Sequence, residues 1–321
     1  MANWNDLPDE MKELVIKEMT IETRAQLKKC SKRDKRLVES TPVIYDELCL
    51  TVIPDHVTLK ISRNQSTELG CDLDVTVQPD HNTITIQRES SFKIVPCERP
   101  DQGEDEIEKM FESVLSTGNL RFNKLVICHK DFPGLIYNCS FTIHAKSVHF
   151  QLDTEKFALI EWLDKLAPGV EYIKLEDPTD KDYLGGELFA KPVIVNAKSL
   201  EIDYLSGIYD EQLLNLKCTN LKVCQPSDIT GHGINQLIKK LFANDYPIGT
   251  SFQMHVNDYP FSQTWTDVIE GLEIEIRESR EEENEYGRLI ETRNGQIKMN
   301  HGKRMEVSYR DDMFSMSIES S

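Results

Sequence analysis

Apolar residues near the amino end recur every three or four positions, which is the spacing of one face of an α-helix. Pro8 suits the first position of such a helix, and Asp9 and Glu10 in its first turn interact favourably with the helix dipole. The apolar face of this predicted helix consists of Leu7, Met11, Leu14, Val15 and Met19.

Two more short helices are predicted directly after the first. Thr23 and Gln26 have the spacing of a capping box ahead of Leu27, and Ser31 can cap a third helix. Pro42 then ends the helical pattern. The first 45 residues therefore form a compact helical module in this interpretation.

The spacing changes to period two between Leu48 and Val95, in the segments HVTLKIS, LDVTVQP, NTITIQ and FKIV. Period two predicts β-strands, and residues 79–82 supply a polar hairpin tip. A helix is predicted next, with Ile107, Met110, Phe111, Val114 and Leu115 on its apolar side and Gly118 at its end.

Short strands then recur, each followed by a loop or a predicted helix such as TEKFALIEWLDKLAPG or GINQLIKKLFAND. Aligning Leu125, Val148, Ile173, Leu200 and Leu221 gives steps of 23, 25, 27 and 21 residues. These steps fall in the leucine-rich-repeat range. The asparagine usual after such a strand is absent, since Lys130 stands there, so the prediction is an irregular solenoid, with an ordinary α/β sandwich as the alternative.

The carboxyl-terminal part alternates strands with Asn294-Gly295, His301-Gly302 and Asp311-Asp312, which predicts an antiparallel meander closing the sheet. The preceding charge block ESREEENE is interpreted as a solvated loop, or as an acidic docking site for a basic partner. The predicted fold class is thus α/β: a short N-terminal helical module (1–45), then an irregular leucine-rich-repeat-like solenoid closed by antiparallel β-hairpins (46–321).

Charge and composition exclude several classes of partner. The chain has 321 residues and a formal net charge of −18, which disfavours binding to nucleic acid or anionic lipid. No signal peptide or membrane-spanning stretch is evident, so we expect a cytoplasmic or nuclear protein without a membrane partner. Eight scattered cysteines without a C-x-x-C pair favour reduced thiols over disulfides or a zinc site.

No sequence motif indicates catalysis. The chain has no G-x-S-x-G elbow, Walker loop, G-x-G-x-x-G or H-E-x-x-H motif. Gly231-His232-Gly233 is interpreted as a turn before a helix at Ile234 rather than as a catalytic loop. We therefore predict no catalytic, cofactor-binding or metal-binding residues, although an active site assembled from distant positions would leave no such motif.

A basic cluster, LKKCSKRDKR, stands out in this acidic chain. It is compatible with a nuclear-import signal, with the solvated surface of two short helices, or with a docking site for an acidic protein. The apolar helix face beside it has two interpretations as well. It either caps the solenoid within the chain or remains exposed and binds a partner, because helices this short do not enclose all their apolar residues.

The amino-terminal residues resemble an F-box, the helical module that binds the Skp-type adaptor of cullin-RING ubiquitin ligases. The resemblance covers about residues 4 to 45 and rests on Leu7-Pro8-Asp9-Glu10-Met11, Val15-Ile16, Met19, Leu27, Cys30-Ser31-Lys32 and Leu37-Val38. It implies that the adaptor-binding residues are Leu7, Pro8, Met11, Val15, Ile16, Met19 and Leu27.

The remainder resembles the nematode-type F-box-associated domain in ITGHGINQLIKKLFAND, WTDVIEGLEI, RNGQIKM and MFSMSI. A related F-box-associated type built on comparable strands is the alternative. Together the two resemblances imply a non-enzymatic substrate receptor of an Skp–cullin–F-box ubiquitin ligase, with the protein substrate bound by the C-terminal domain. The alternatives are a repeat-type interaction scaffold unrelated to ubiquitin and an unrecognised hydrolase.

Overall fold

A computed structural model gives the fold of the chain and divides it into two compact units, Met1–Val170 and Glu171–Ser321. None of the described helices has the length and apolar composition needed to cross a bilayer. The structure describes residues 4–53, 56–63, 71–78, 83–88, 91–96, 109, 112, 115, 119–130, 142–153, 156–176, 183–256, 261–283, 289–310 and 312–321. The hairpin tip predicted at 79–82 and the helix end predicted at Gly118 lie outside them.

Three helices open the first unit after a 3₁₀ turn at Trp4–Asp6: α1 (Asp9–Glu18), α2 (Ile21–Cys30) and α3 (Lys32–Ser40). The predicted cap of α3 is confirmed, since the Ser31 hydroxyl accepts a hydrogen bond from the Asp34 N–H at 3.0 Å. The predicted start of α2 at Thr23 is wrong. Thr20 caps this helix and accepts from the Thr23 N–H at 3.2 Å, because Thr20 has the extended backbone of a cap residue.

The strands of the first unit form a sheet in the order β7-β6-β1-β2-β3-β4-β5. β1 lies parallel to β6, which lies parallel to β7, whereas β1 to β5 pair antiparallel in succession. Leu48, Leu50 and Val52 alternate along β1 and are fully buried. The elements are β1 (Val43–Ile53), β2 (His56–Ser62), β3 (Cys71–Gln78), β4 (Thr83–Arg88), β5 (Ser91–Pro96), β6 (Leu120–Lys130), β7 (His144–Asp153) and α4 (Lys156–Asp164).

Parallel strands also form the first part of the second unit, in the order β8-β10-β12-β14. A small parallel sheet of β9, β11 and β13 accompanies them, together with a 3₁₀ turn at Gly186–Ala190. The elements are β8 (Tyr172–Glu176), β9 (Tyr183–Leu184), α5 (Pro192–Val195), β10 (Ser199–Asp203), β11 (Leu205–Tyr209), α6 (Asp210–Asn215), β12 (Asn220–Val223), β13 (Ser227–Asp228), α7 (Gly231–Ala243), β14 (Ser251–His255) and α8 (Phe261–Ile269).

The parallel register agrees with the sequence alignment of the strands. Leu125 pairs with Val148, and Leu200 pairs with both Ile173 and Leu221. Residues on one face of β8, β10 and β12 are buried and those on the other are partly or fully exposed. A mixed α/β fold with N-terminal helices and strand-rich sheets is thereby confirmed, whereas a leucine-rich-repeat-like solenoid stays a prediction.

An antiparallel meander completes the second unit: β15 (Glu275–Glu283), β16 (Leu289–Lys298), β17 (Lys303–Arg310) and β18 (Met313–Ser320). β18 returns to pair antiparallel with β14. The predicted turn at His301-Gly302 is confirmed, with both residues at positive φ. Asp312, also at positive φ, begins the return into β18.

Two predictions about this segment are wrong. Asn294-Gly295 is not a turn but lies inside β16, where a side chain at Gly295 would meet Ile274 Cδ1 at 2.6 Å. Most of the charge block is not a loop, since its first six residues belong to β15 and pair with β16. β15 is an edge strand, and such strands tolerate charged residues because one side faces solvent.

Earlier in the second unit, the segment Gly231-His232-Gly233 was predicted as a turn before a helix at Ile234. These residues instead form the first turn of α7 itself.

Candidate functional site

Helix α1 presents two different faces. Met11, Leu14 and Val15 follow the spacing i, i+3, i+4 and expose 50%, 59% and 42% of their surface, and we call these three residues the α1 ridge. Lys12 and Ile16 lie on another side of the same helix and are buried. An apolar ridge of this kind on a surface helix is typical of a protein-binding site.

The buried side of α1 belongs to a small core of its own. Ile16 packs with Leu37 and Val38 of α3, and Trp4, Met19 and Leu27 pack against this group while staying partly exposed. Packing against α2 and α3 thus fixes the orientation of α1, and therefore the direction in which the α1 ridge faces.

Arg24 joins the ends of these helices from the inside. It is fully buried, and its guanidinium donates to the carbonyls of Ile16 at 3.3 Å, Val38 at 2.9 Å and Thr41 at 3.1 Å. Burial lowers the pKa of Arg24 from its ordinary value, which nonetheless leaves an arginine charged at neutral pH. Carbonyls in the last turn of a helix lack the usual N–H donors of a following turn. Arg24 donates to all three carbonyls, and the Ile16 carbonyl also accepts from the Met19 N–H.

Asp34 holds the amino end against α3. It accepts hydrogen bonds from the Ser31 hydroxyl at 2.6 Å and from Trp4 Nε1 at 2.9 Å. These two bonds, with Ser31 the larger cause, lower the pKa of Asp34. Lys12 Nζ lies 5.5 Å from the centre of the Trp4 ring, within the range of a cation–π interaction.

A second arginine connects the helices to the sheet of the same unit. Arg63, directly after β2, donates to the Met19 carbonyl at 2.7 Å and to the Tyr45 hydroxyl at 3.3 Å. Its guanidinium also stacks 4.9 Å from the centre of the Tyr45 ring. The C-terminal end of α1 is therefore fixed to β1 and β2.

The seven residues predicted to bind an adaptor occupy different environments. Met11 and Val15 are on the α1 ridge, and Pro8 is exposed at its start. The remaining four are Leu7, half-buried; Ile16, fully buried; and Met19 and Leu27, which pack partly against the core. Leu14, absent from the predicted set, is the most exposed of the three ridge residues.

The basic cluster beside the helices is partly neutralised by ion pairs. Lys28 lies 3.1 Å from Glu39, and Arg33 lies 2.7 Å from Asp9. Lys29 and Lys32 are exposed. Such surface pairs contribute little to stability. The three interpretations of the cluster stay predictions.

The described residues contain no group of three or more His, Cys, Asp or Glu side chains placed to hold a metal ion. Five cysteines in this part of the chain are free thiols: Cys30, Cys49, Cys128, Cys218 and Cys224. Burial raises the pKa of Cys218 to about 12, which keeps it protonated at neutral pH and makes it a poor nucleophile.

Sequence reasoning missed the polar residues that support the α1 ridge, above all Lys12, Arg24 and Asp34. The available signal was weak, because charged residues on short helices are ordinarily solvated. Lys12 and Ile16 are four residues apart and share a helix face, which is the one pattern that could have placed Lys12 inside. The link between Trp4 and Asp34 spans 30 positions and has no local signal.

Comparison with known families identifies this helical region. Residues 4–45 match the family model of the F-box domain. No curated protein and no solved structure matches the chain. The matched residues include α1, α2, α3 and the first residues of β1, which are the elements that carry and support the α1 ridge. The chain therefore contains an F-box domain at residues 4–45, which supports its assignment as an F-box protein.

Proposed function

We propose that this chain is a substrate receptor of an Skp–cullin–F-box ubiquitin ligase. F-box domains bind Skp-type adaptors in these complexes. The observation that carries the proposal is the α1 ridge, an exposed apolar strip on a helix of the matched F-box domain. In this proposal Met11, Leu14 and Val15 contact the adaptor directly, together with Pro8 and the exposed part of Leu7.

The other predicted contact residues have a supporting role in the proposal. Ile16 orients α1 from the core, and the accessible parts of Met19 and Leu27 extend the surface of the ridge. Full burial of an apolar side chain contributes about 1.5–3 kcal/mol, and each ridge residue has about half its surface left to bury. Burying the ridge therefore contributes roughly 2–4 kcal/mol to a complex.

The receptor holds its substrate and does not catalyse the transfer of ubiquitin. F-box proteins are typically non-catalytic adaptors. Binding the target beside the charged ubiquitin carrier raises the effective concentration of the acceptor lysine. In this proposal the receptor needs no cofactor, binds no nucleic acid and no membrane, and works in the cytoplasm or the nucleus.

The C-terminal part (46–321) has the substrate-binding role in this proposal. Support comes from its in-register parallel strands, whose partly exposed faces resemble a leucine-rich-repeat-like surface. The resemblance of ITGHGINQLIKKLFAND and MFSMSI to a nematode-type F-box-associated domain points the same way.

Affinity capture of the full chain from cells, followed by mass spectrometry, tests this proposal. We expect a Skp-type adaptor and a cullin among the captured proteins. A variant with glutamine at Met11, Leu14 and Val15 is expected to lose both, since glutamine keeps helix propensity but removes the apolar surface. Ile248→Gln is the matched control, because Ile248 is 56% exposed in the second unit.

Two results would count against the receptor. Capture of other proteins without adaptor or cullin would favour the alternative of an interaction scaffold unrelated to ubiquitin. In that alternative the N-terminal helices only cap the rest of the chain and bind no adaptor. Adaptor recovery equal in the ridge variant and the wild type would show that the α1 ridge is not the contact surface.

A further inference from the structure

A polar trough of about 930 Å³ opens on the second unit, outside the F-box domain. β14 and the meander β15 to β18 form it. Its lining includes five serines, at positions 251, 279, 308, 315 and 317, together with Gln253 and Asn294. Phe252, Val307 and Met316 alternate with these residues, and their side chains are buried. The trough is thus the solvent-facing side of this sheet.

Strand register arranges one set of polar side chains in a row across the trough. Gln253 pairs with Ser315, Ser315 with Ser308, and Ser308 with Asn294. We call Gln253, Ser315, Ser308 and Asn294 the polar row. The side chains of Gln253, Ser308 and Ser315 make no hydrogen bond to other described residues, so both donors and acceptors are available to a ligand.

The neighbouring polar residues differ, since they bond within the protein. The Ser251 hydroxyl donates to Asn220 Oδ1 at 3.0 Å, and the Ser317 hydroxyl donates to Glu319 Oε1 at 3.3 Å. Available hydrogen-bonding capacity is therefore concentrated in Gln253, Ser308 and Ser315 of the polar row, since Asn294 donates from Nδ2 to Glu278.

A bulge in β15 shapes one wall of the trough. Ile276 pairs with Gly295 and Glu278 with Asn294, which leaves Arg277 as the extra residue. Bulges redirect side chains and recur beside functional sites. Arg277 donates to Gln296 and lies 3.7 Å from Glu306, while Glu278 accepts from Asn294 Nδ2 at 2.9 Å.

Charge favours a basic ligand. The described part of the lining holds two carboxylates, Glu278 and Glu306, and one cation, Arg277. Glu306 also lies 3.1 Å from Arg304, which in turn lies 3.0 Å from Glu319, so these five groups together carry one more negative than positive charge. Residues 171–321 carry 27 Asp and Glu against 16 Lys and Arg, a formal net charge of −11. Such a field attracts cationic partners and repels anionic ones, nucleic acid included.

Side-chain chemistry narrows the choice further. Among the described lining residues none offers an exposed aromatic ring, since Phe252 is buried, so these residues give sugars and bases no ring to stack on. An extended polypeptide instead presents backbone amides and carbonyls in a line, which suits hydroxyl and amide groups placed on successive strands.

We infer that the trough binds an extended segment of a protein that is polar and carries net positive charge. This inference deepens the proposed function, because it assigns the substrate class to the second unit. The backbone of the segment bonds to the polar row, and its lysines and arginines face Glu278 and Glu306.

A displayed library of random linear 12-residue peptides, selected on the purified full chain, tests the inference. We expect enriched peptides with net positive charge whose affinity falls as salt is raised. Ser315→Arg and Gln253→Arg are expected to weaken binding of the enriched peptides at least about tenfold, because like charges repel and the added side chain fills the trough.

Ser320→Arg is the matched control, since Ser320 lies on the same strand, is not part of the lining and receives the same added charge. Its affinity should stay within about twofold of the wild type, as is usual for changes away from a site. Gln253 is exposed, so Gln253→Arg tests the site even where Ser315→Arg disturbs folding. Thermal unfolding of each variant distinguishes a loss of peptide binding at the trough from a loss of binding caused by misfolding.

Enrichment of acidic or apolar peptides, or equal binding by the control and the two trough variants, would overturn the inference. Adaptor capture by the same preparations keeps this result distinct from the proposed function. If the chain binds the adaptor but no basic peptides, the inference about the trough is refuted and the proposed receptor function is not. If the chain binds basic peptides at the trough but no adaptor, the receptor function is refuted and the inference about the trough is supported.

Discussion

Replacing the buried Arg24 with methionine should loosen the whole F-box domain. Methionine keeps much of the apolar stem but removes the three donated hydrogen bonds. Ile16 O retains the Met19 N–H at 3.2 Å, whereas Val38 O lies four residues before Pro42, which has no N–H to offer. The carbonyls of Val38 and Thr41 are then left without the donors that Arg24 supplied.

The magnitude follows from those two carbonyls. A buried acceptor left without a donor costs about 1–3 kcal/mol, so the gross loss is roughly 2–6 kcal/mol. Burying the charged guanidinium costs desolvation free energy in the wild type, and the methionine variant does not have this cost. The net loss of stability is therefore reduced to about 2–4 kcal/mol. A loss of this size corresponds to an increase of about 30- to 1,000-fold in the population of the opened helices.

Hydrogen exchange followed by mass spectrometry measures that population in peptides from α1, α2 and α3. We expect their amides to exchange faster by this factor in Arg24→Met, and those of β10 and β12 to be unchanged. Arg36→Met is the control, because Arg36 is exposed and donates to the carbonyl of Lys32 in its own helix. Equal protection of the helices in Arg24→Met and Arg36→Met would refute the role given to Arg24.

Two further changes test neighbouring parts of the structure. Folding lowers the pKa of Asp34 below its unfolded value of about 3.9, so its stabilisation is present above that pH and is lost as pH falls through the lowered pKa. In urea titrations followed by tryptophan fluorescence, Asp34→Asn should therefore lose less stability than the wild type between about pH 6 and about pH 3, and equal losses would contradict this. Gly233→Ala should destabilise the second unit by about 1–3 kcal/mol, because the new Cβ collides with the Asp210 carboxylate that accepts from Thr230. Thermal unfolding by circular dichroism checks this expectation, and an unchanged melting temperature would refute it.

The strands were predictable because their side chains alternate. Leu200 pairs with Ile173 and Leu221 as the spacing indicated, since a one-residue slip would turn every apolar side chain to the wrong face of the sheet. The F-box was predictable only through its resemblance to a known family, because the residues that carry the resemblance all lie within about residues 4 to 45.

The errors come from positions where tertiary packing decides the structure. Asn294-Gly295 has a sequence typical of a turn, yet the glycine is needed because Ile274 lies against it within the sheet. Arg24 has the appearance of a surface residue, and only the meeting of α1 with the end of α3 brings together the carbonyls that accept its hydrogen bonds.

The trough could not be predicted from the sequence either, because its residues come together only through tertiary structure. Gln253, Asn294, Ser308 and Ser315 are spread over more than sixty positions and carry no motif. They form a row only through the pairings of β14, β18, β17 and β16, including the return of β18 to β14. Such long-range register is not readable from the pattern of any one strand.

Isothermal titration calorimetry of the full chain with a purified Skp-type adaptor tests the central claim most directly. The wild type and Ile248→Gln should bind with equal affinity. The variant with glutamine at Met11, Leu14 and Val15 should bind about 30- to 1,000-fold more weakly, from the roughly 2–4 kcal/mol assigned to the α1 ridge. A wild-type chain that does not bind the adaptor, or a ridge variant that binds as tightly as the wild type, would contradict the claim.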